Sequence, residues 1–233
     1  MLTISTFNIQ NDIKHYSSEK TLMIVQYLKS RKIDILNLQE VYSLLDKDLR
    51  KVLKSISYSS YGRYRFFLRR ILNRINEKTP IITHNKVLSS KTYSLPFLPS
   101  LLKRVLTKVV IQDGEHIISV YNTHLDFQHE SVKKRQLDKI LQIIQKDKNP
   151  IILTGDFNLK TNKKIFLDFV EELKKLHIRH VNIHEKTFKS SLYHRAIDHI
   201  FVSDDFRVVH KELITDILTS DHYPVLVQVE YKY

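Results

Sequence analysis

The segment 149–159, Asn-Pro-Ile-Ile-Leu-Thr-Gly-Asp-Phe-Asn-Leu, constrains this chain more than any other. Ile151, Ile152 and Leu153 form a short apolar run after a proline, the pattern of a buried strand. The run stops at Gly155, where a backbone without Cβ can turn or be approached closely. Asp156 and Asn158 follow at once, so a carboxylate and an amide leave the end of a rigid element two residues apart. Strand ends are where α/β proteins place chemistry. A carboxylate that accepts a proton, beside an amide that donates and accepts hydrogen bonds, is what a hydrolase needs to deprotonate and aim a water. Gly, Asp and Asn are also the common turn formers, and taken alone the segment reads as a turn.

The remaining chain predicts elements that frame this segment. Leu2, Ile4, Thr6 and Asn8 alternate with Thr3, Ser5 and Phe7, giving a strand closed by Asn8. Ser17 or Ser18 offers an N-cap to a helix in which Leu22, Val25 and Leu28 recur at helical spacing to about Ser30. The run 33–40 predicts a strand that ends in the carboxylate of Glu40, and Leu45, Leu49, Val52 and Ile56 predict an amphipathic helix. Strand character returns over 80–93, and 95–102, with Pro96 and Pro99, reads as an irregular apolar loop. Runs 105–112 and 115–122 flank Asp113-Gly114, a hairpin signal, and the second leads into Asn122-Thr123-His124-Leu125-Asp126. A helix is predicted over 131–146, another from an Asn162 cap through Leu176, and strands over 196–203, 207–214 and 223–231. No linker or repeat divides the 233 residues, which predicts one domain over 1–233.

Composition narrows the partners. With no cysteine, disulfides and zinc-thiolate sites are excluded, and a reducing cytoplasm is the simplest location. No apolar run approaches the length of a membrane helix, and the N-terminus, already alternating like a strand, lacks the pattern of a signal peptide. The net charge of +13 fits a polyanionic partner, nucleic acid or an anionic lipid surface, and fits equally a solvated excess in a Lys-, Ile- and Asn-rich chain. Between positions 58 and 74, Tyr61, Tyr64, Phe66 and Phe67 interleave with Arg63, Arg65, Arg69, Arg70 and Arg74. Such a segment can hold phosphates and stack bases, or form a strand with one buried aromatic face.

Asn8, Glu40, His124, Asp126, Asp156, Asn158, Asp198, Asp221 and His222 sit at the ends of separate predicted strands. Their local contexts are Thr6-Phe7-Asn8-Ile9, Leu38-Gln39-Glu40, Asn122 to Asp126, Gly155 to Asn158, Ile197-Asp198-His199-Ile200-Phe201 and Ser220-Asp221-His222-Tyr223-Pro224. In this order they resemble the endonuclease/exonuclease/phosphatase superfamily, with its deoxyribonuclease I-like fold. The resemblance implies a four-layered α/β sandwich: two mixed β-sheets with helices packed on the outer faces. It also implies Mg²⁺- or Mn²⁺-dependent hydrolysis of phosphate esters. Glu40 would ligate the metal, with Asn8 beside it and the phosphate and Asp221 completing the acidic cluster. Asp156 would orient or deprotonate water, helped by Asn158, which also contacts the phosphate. His222 would bind the scissile phosphate or act in proton transfer, with its ring fixed by Asp198. His124 resembles the branch of deoxyribonuclease I, sphingomyelinases, inositol phosphatases and deadenylases, in which an earlier glutamate, here Glu77, orients that ring; Lys78 stands where a glycine is usual. Arg104 and Arg135 resemble substrate-binding positions of small bacterial members.

These residues predict a monomeric phosphodiesterase acting on nucleic acid. The alternatives are a sphingomyelinase-like lipid phosphodiesterase, for which the loop 95–102 followed by Lys103 and Arg104 would touch the membrane, and a phosphoinositide or nucleotide phosphatase. A binding module that lost the chemistry predicts erosion of the site residues. His177, His180 and His184, like His129, His194, His199 and His210, read as ordinary histidines, and Ser131 and Ser203 lack the context of a nucleophile.

Overall fold

The structure, a computed structural model, describes residues 1–11, 17, 19–64, 77–100, 102–181, 186–189 and 195–232. Ser18, Phe66, Phe67, Arg65, Arg69, Arg70, Arg74, His184 and His194 lie outside the described residues. Along the chain run β1 (Leu2–Asn8), α1 (Glu19–Ser30), β2 (Ile35–Gln39), β3 (Val41–Tyr42), α2 (Ser43–Ser55), β4 (Ser59–Tyr61), β5 (Glu77–Lys78), β6 (Ile81–Thr83) and β7 (Lys86–Ser94). There follow β8 (Val105–Asp113), β9 (His116–His124), α3 (Glu130–Ile144), β10 (Ile151–Asp156), α4 (Lys164–Lys175), β11 (Ile178–His180), β12 (Asp198–Ser203), β13 (Phe206–Leu213) and β14 (Val225–Tyr231). Two six-stranded sheets result, in the orders β13-β14-β1-β2-β6-β4 and β11-β12-β10-β9-β8-β7. Both are mixed, because β1 runs parallel to β2 and β9 parallel to β10 while their other neighbours are antiparallel.

Period-two alternation sorts each central strand between two apolar environments. Leu2 and Ile4 of β1, Ile35 of β2, Val120 of β9, Ile152 of β10 and Ile200 of β12 fill the layer between the sheets. Phe7, Leu36 and Leu38 face α1 and α2, where Ile24, Leu28, Leu45 and Leu49 cover them. Tyr121, Leu153 and Phe201 face α3 and α4 and meet Leu137, Ile140, Phe169 and Leu173. The four layers are therefore helix, sheet, sheet, helix. Among the described residues, no helix is long and apolar enough to cross a membrane.

Local differences from the sequence expectations have physical causes. The run 80–93 is two strands, because Asn85 N–H bonds Thr83 Oγ1 at 3.0 Å and turns the chain between β6 and β7. The helix expected to be capped by Asn162 begins after Lys163, an extended residue that makes no side-chain cap bond. Asp126, a strand-end carboxylate in the sequence, closes the turn that leads into α3: its Oδ1 accepts from the N–H groups of Gln128 at 2.9 Å and His129 at 2.7 Å. Burial alone would raise its pKa, and these bonds reverse that and hold it below the usual range. Asp113-Gly114 does close the β8–β9 hairpin, with Gly114 at φ +58°.

Gly155 is required by close approach. It pairs with Thr123 across the parallel β9–β10 ladder at φ +150°, and a Cβ there would lie 2.1 Å from the Thr123 carbonyl oxygen. Gly155→Ala is expected to destabilise the fold by at least about 2 to 3 kcal/mol, because backbone rather than a movable side chain blocks the methyl group. A thermal melt within a degree or two of wild type would contradict this packing.

Candidate active site

The alternation that builds the core also delivers the polar groups. Asn8 continues the inter-sheet face of Leu2 and Ile4, Asp156 that of Ile152, His124 that of Val120, and Asp198 begins the face of Ile200. Asp156 is paired in register with both His124 and Asp198, so one end of the second sheet presents three functional side chains side by side. Glu40 follows β2 at a position whose parity points towards the helices, and its φ of +60° turns it to the inter-sheet side, where Asn8 Nδ2 meets Glu40 Oε1 at 3.3 Å. A cavity of about 690 Å³ opens over this end.

Asp156 is the focus. Its Oδ1 accepts the backbone N–H of Asn158 at 2.9 Å, a turn made possible by the left-handed φ of Asn158, +50°, and its Oδ2 accepts Asn8 Nδ2 at 3.0 Å. His124 Nε2 and His222 Nε2 stand 3.6 and 3.8 Å from the same Oδ2, beyond hydrogen-bond length, so both rings stay available to a ligand in the cavity. Asn158 Nδ2 is held by Leu125 O at 3.1 Å.

Each imidazole has a carboxylate behind it. His222 Nδ1 contacts Asp198 Oδ2 at 2.8 Å. Burial alone would lower the pKa of His222; the adjacent Asp198, then Asp156 and Asp221, overcome this and push it up to about 10. The ring is thus an imidazolium, donating to Asp198 through Nδ1 and presenting Nε2–H to the cavity. His124 Nδ1 lies 2.7 Å from Glu77 Oε1 and 2.9 Å from Arg104 Nη1. One ring nitrogen cannot donate to Glu77 and accept from Arg104 at once; the shorter contact fixes Nδ1–H on Glu77, and Arg104 donates to Glu77 Oε2 at 3.0 Å. Lys78, where a glycine was noted as usual, is fully buried, ion-paired with Asp46 and placed over the Tyr64 ring at 5.6 Å.

The geometry brings together Asn8, Glu40, Glu77, His124, Asp156, Asn158, Asp198 and His222, with Asp221 at the rim and its Oδ1 3.9 Å from His222 Nε2. Arg104 lines the cavity but is engaged with Glu77. Arg135 is not brought to the cavity: it is exposed and donates to the Leu98 carbonyl. The cavity also contains residues that no motif marks, Lys133, Lys160, Lys163, Arg195 and Phe188. Thr187 and Ser220 act behind it: Thr187 Oγ1 accepts the N–H of Asp198 at 3.2 Å, while Ser220 Oγ donates to Asn8 O at 2.7 Å and accepts His222 N–H at 3.1 Å. His199, by contrast, is a core residue. Burial holds its pKa down to about 4, and its Nε2 bonds Leu159 O at 2.9 Å.

The residues fit a divalent cation at Glu40. Burial pushes the Glu40 carboxyl up and Glu77 and Asp156 add to the effect, while His124 and then the Asn8 amide offset it only in part; a hard cation would relieve this crowding. Asn8 itself turns its nitrogen to the carboxylates and its Oδ1 to Gln10 N–H at 3.0 Å, so it orients Glu40 and Asp156. Asp156, Asp198 and His222 also present ligand-type atoms within 4.8 Å of one another, but the 2.8 Å Asp198–His222 contact is a hydrogen bond that occupies two of them.

Fold and cleft together define a class, the two-sheet, helix-flanked hydrolases that act on phosphate esters. The chain matches the Endonuclease/Exonuclease/phosphatase family over residues 5–222 and belongs to it. An endonuclease/exonuclease/phosphatase from Bacteroides vulgatus superposes with a TM-score of 0.84 at 22% identity, over 99% of each chain. A mannosyl-6-phosphatase from Bacteroides thetaiotaomicron gives 0.83 at 21% identity, over 99% of this chain and 100% of that one. The human Nocturnin catalytic domain with bound sulfate gives 0.80 at 18%, over 99% and 94%. By sequence, none of the curated proteins matches the chain.

The raised His222 pKa has a direction in stability. Folding raises it from 6.5 to about 10, so the stability contributed by the charged His222–Asp198 pair is fully present below about 6.5 and is lost as pH rises through about 10. Chemical denaturation of wild type and His222→Gln should show an advantage of wild type at pH 6 that shrinks by pH 10.5. A constant difference across this window would rule out the charged pair.

Proposed function

We propose that this chain is a divalent-metal-dependent phosphodiesterase whose substrate is the backbone of nucleic acid. The observation that carries the chemistry is the convergence of Asn8, Asn158, His124 and His222 on the Asp156 carboxylate. Glu40 would hold the cation, with Asp221 at the rim as a further carboxylate; the bound ion would supply Lewis-acid stabilisation of charge on the phosphoryl oxygens. Asp156, fixed through both oxygens by amide donors, takes a proton from the attacking water on the inter-sheet side. His222 Nε2–H binds a phosphoryl oxygen and is kept charged by Asp198. His124, its tautomer set by Glu77, presents Nε2 on the other side of Asp156. Lys133 and Arg195 give the walls of the cavity a positive character suited to an anionic substrate. The net charge of +13 supports a polyanion over a small neutral-bodied ester.

A second reading, a phosphomonoesterase acting on a small sugar or nucleotide phosphate, is favoured by the full-length superposition on the mannosyl-6-phosphatase. Assays of plasmid DNA, single-stranded DNA, RNA, a nucleoside monophosphate, mannose 6-phosphate, a phosphoinositide and sphingomyelin vesicles, each with Mg²⁺, Mn²⁺ or chelator, separate the readings. Cleavage of a nucleic acid alone is expected. Hydrolysis restricted to monoesters would replace the proposal with the second reading, and hydrolysis restricted to sphingomyelin would replace it with a lipid phosphodiesterase.

Asp156→Ala and Glu40→Gln should each lower turnover by at least about a hundredfold with the melting temperature little changed, and chelation should match Glu40→Gln. Near-normal turnover by purified Asp156→Ala would remove the mechanism's centre.

A further inference from the structure

The two faces of α3 carry opposite charge. On the side facing α4, a cleft is lined by Glu130, Asp138, Asp168 and Glu172 against Lys134 and Lys164, and both lysines are ion-paired with aspartates one turn away. On the other side, a cleft of about 360 Å³ between α3 and strands β7 and β8 is lined by Lys91, Lys108, Lys139 and Lys146. Its one carboxylate, Asp147, is already engaged by Lys108 at 2.8 Å and by the Tyr121 hydroxyl at 2.5 Å. Lys91, Lys139 and Lys146 are exposed and have no carboxylate within ion-pair distance among the described residues. Lysines stand on both sides of α3, but the two in the α4 cleft are neutralised by aspartates, whereas three of the four here have no carboxylate partner among the described residues. Segregation across a single helix is what a built anionic site requires.

The basic side continues towards the active site. Arg135, Lys139 and Gln142 recur at intervals of four and three, which places them in one stripe along about 10 Å of α3, and Lys146 follows in the turn just past the end of the helix, lining the same cleft. Lys139 also lines the neighbouring groove formed by Phe97, Leu98 and Arg135. That groove is tied to the cavity wall by Gln136, which donates to Pro96 O at 2.8 Å and accepts Asp126 N–H at 2.9 Å beside Phe127, a cavity residue.

Resting on the nucleic-acid reading above, we propose that this stripe and the facing Lys91 and Lys108 form a track that holds the sugar-phosphate backbone of a single strand leading to the cavity. Lys91, Lys139 and Lys146, which have no carboxylate partner among the described residues, give the track three cations to meet phosphates, and Arg135 gives a fourth. Contacts are to backbone only, and the track predicts dependence on length and salt without dependence on sequence.

The test compares wild type, the triple variant Lys91→Ala/Lys139→Ala/Lys146→Ala and a control, Lys174→Ala/Lys175→Ala, whose lysines pair with Glu171 and Glu172 on α4. Each is assayed on single-stranded DNA of four and of twenty nucleotides, and binding of the longer strand is followed by anisotropy in chelator across a salt series. Wild type and control should favour the longer strand at least about tenfold. The triple variant should lose most of that preference and flatten the log-log salt slope by about 2, at roughly 0.7 for each of three phosphates released. A triple variant that melts normally and keeps both the preference and the slope overturns the track and leaves the catalytic reading standing. An equal loss in the control also overturns it, since net charge would then suffice. Cleavage by wild type of neither strand, nor of plasmid DNA or RNA, overturns the nucleic-acid reading itself, and binding of anionic phosphatidylglycerol vesicles in place of DNA assigns the stripe to a membrane surface and overturns the track.

Discussion

The two sheets are held in one relative position by a pair of fully buried amides. Gln39 Nε2 donates to Asn122 Oδ1 at 2.7 Å across the sandwich and to Thr6 Oγ1 at 3.0 Å, while Asn122 Nδ2 reaches Leu38 O at 2.8 Å and Pro80 O at 2.9 Å. A buried amide that loses its partner costs about 1 to 3 kcal/mol, so these bonds select one register. They lie one residue before Glu40 and two before His124. The Glu40 side, carried by the first sheet, is thereby aligned with the Asp156 side, carried by the second.

Charge is arranged around that alignment in pairs. Each histidine has a carboxylate behind it and Asp156 before it, so each ring in the floor of the cavity stands between two carboxylates. The arrangement answers the cost of burying ionised groups, since every charge there has an opposite neighbour or an amide donor. Glu40 is compensated by the nearby His124 and one long bond from Asn8, yet burial still holds its carboxyl up, and a cation there would offset that cost.

Much of this was legible in the sequence because the functional side chains extend core strands. Wherever alternation was clear, as at Leu2 to Asn8, the parity that buries the hydrophobic residues also fixes which polar residue reaches the inter-sheet face. Glu40 escapes that rule, and its orientation follows from a φ that sequence spacing does not encode. Arg135 stood one residue from Gln136, which is buried, and a single helical step turned it out of the site. Lys133, Thr187, Arg195 and Ser220 come from segments with no shared pattern, and only the tertiary fold assembles them. The two-stranded β3–β5 sheet, which carries Glu77, is too short to show any period.

Glu40 and Asn158 are both non-glycine residues in left-handed backbone conformations, at φ +60° and +50°. Asparagine tolerates that region; glutamate does so at a cost of about 1 to 2 kcal/mol. At both positions glycine would suit the backbone better than the residue the chemistry needs. A campaign that selected this protein for thermostability alone would therefore drift towards glycine at position 40, gaining a firmer fold and discarding the carboxylate. Under the role proposed for Glu40, durability and turnover compete through one torsion angle, and stabilisation of this scaffold has to be sought away from that residue.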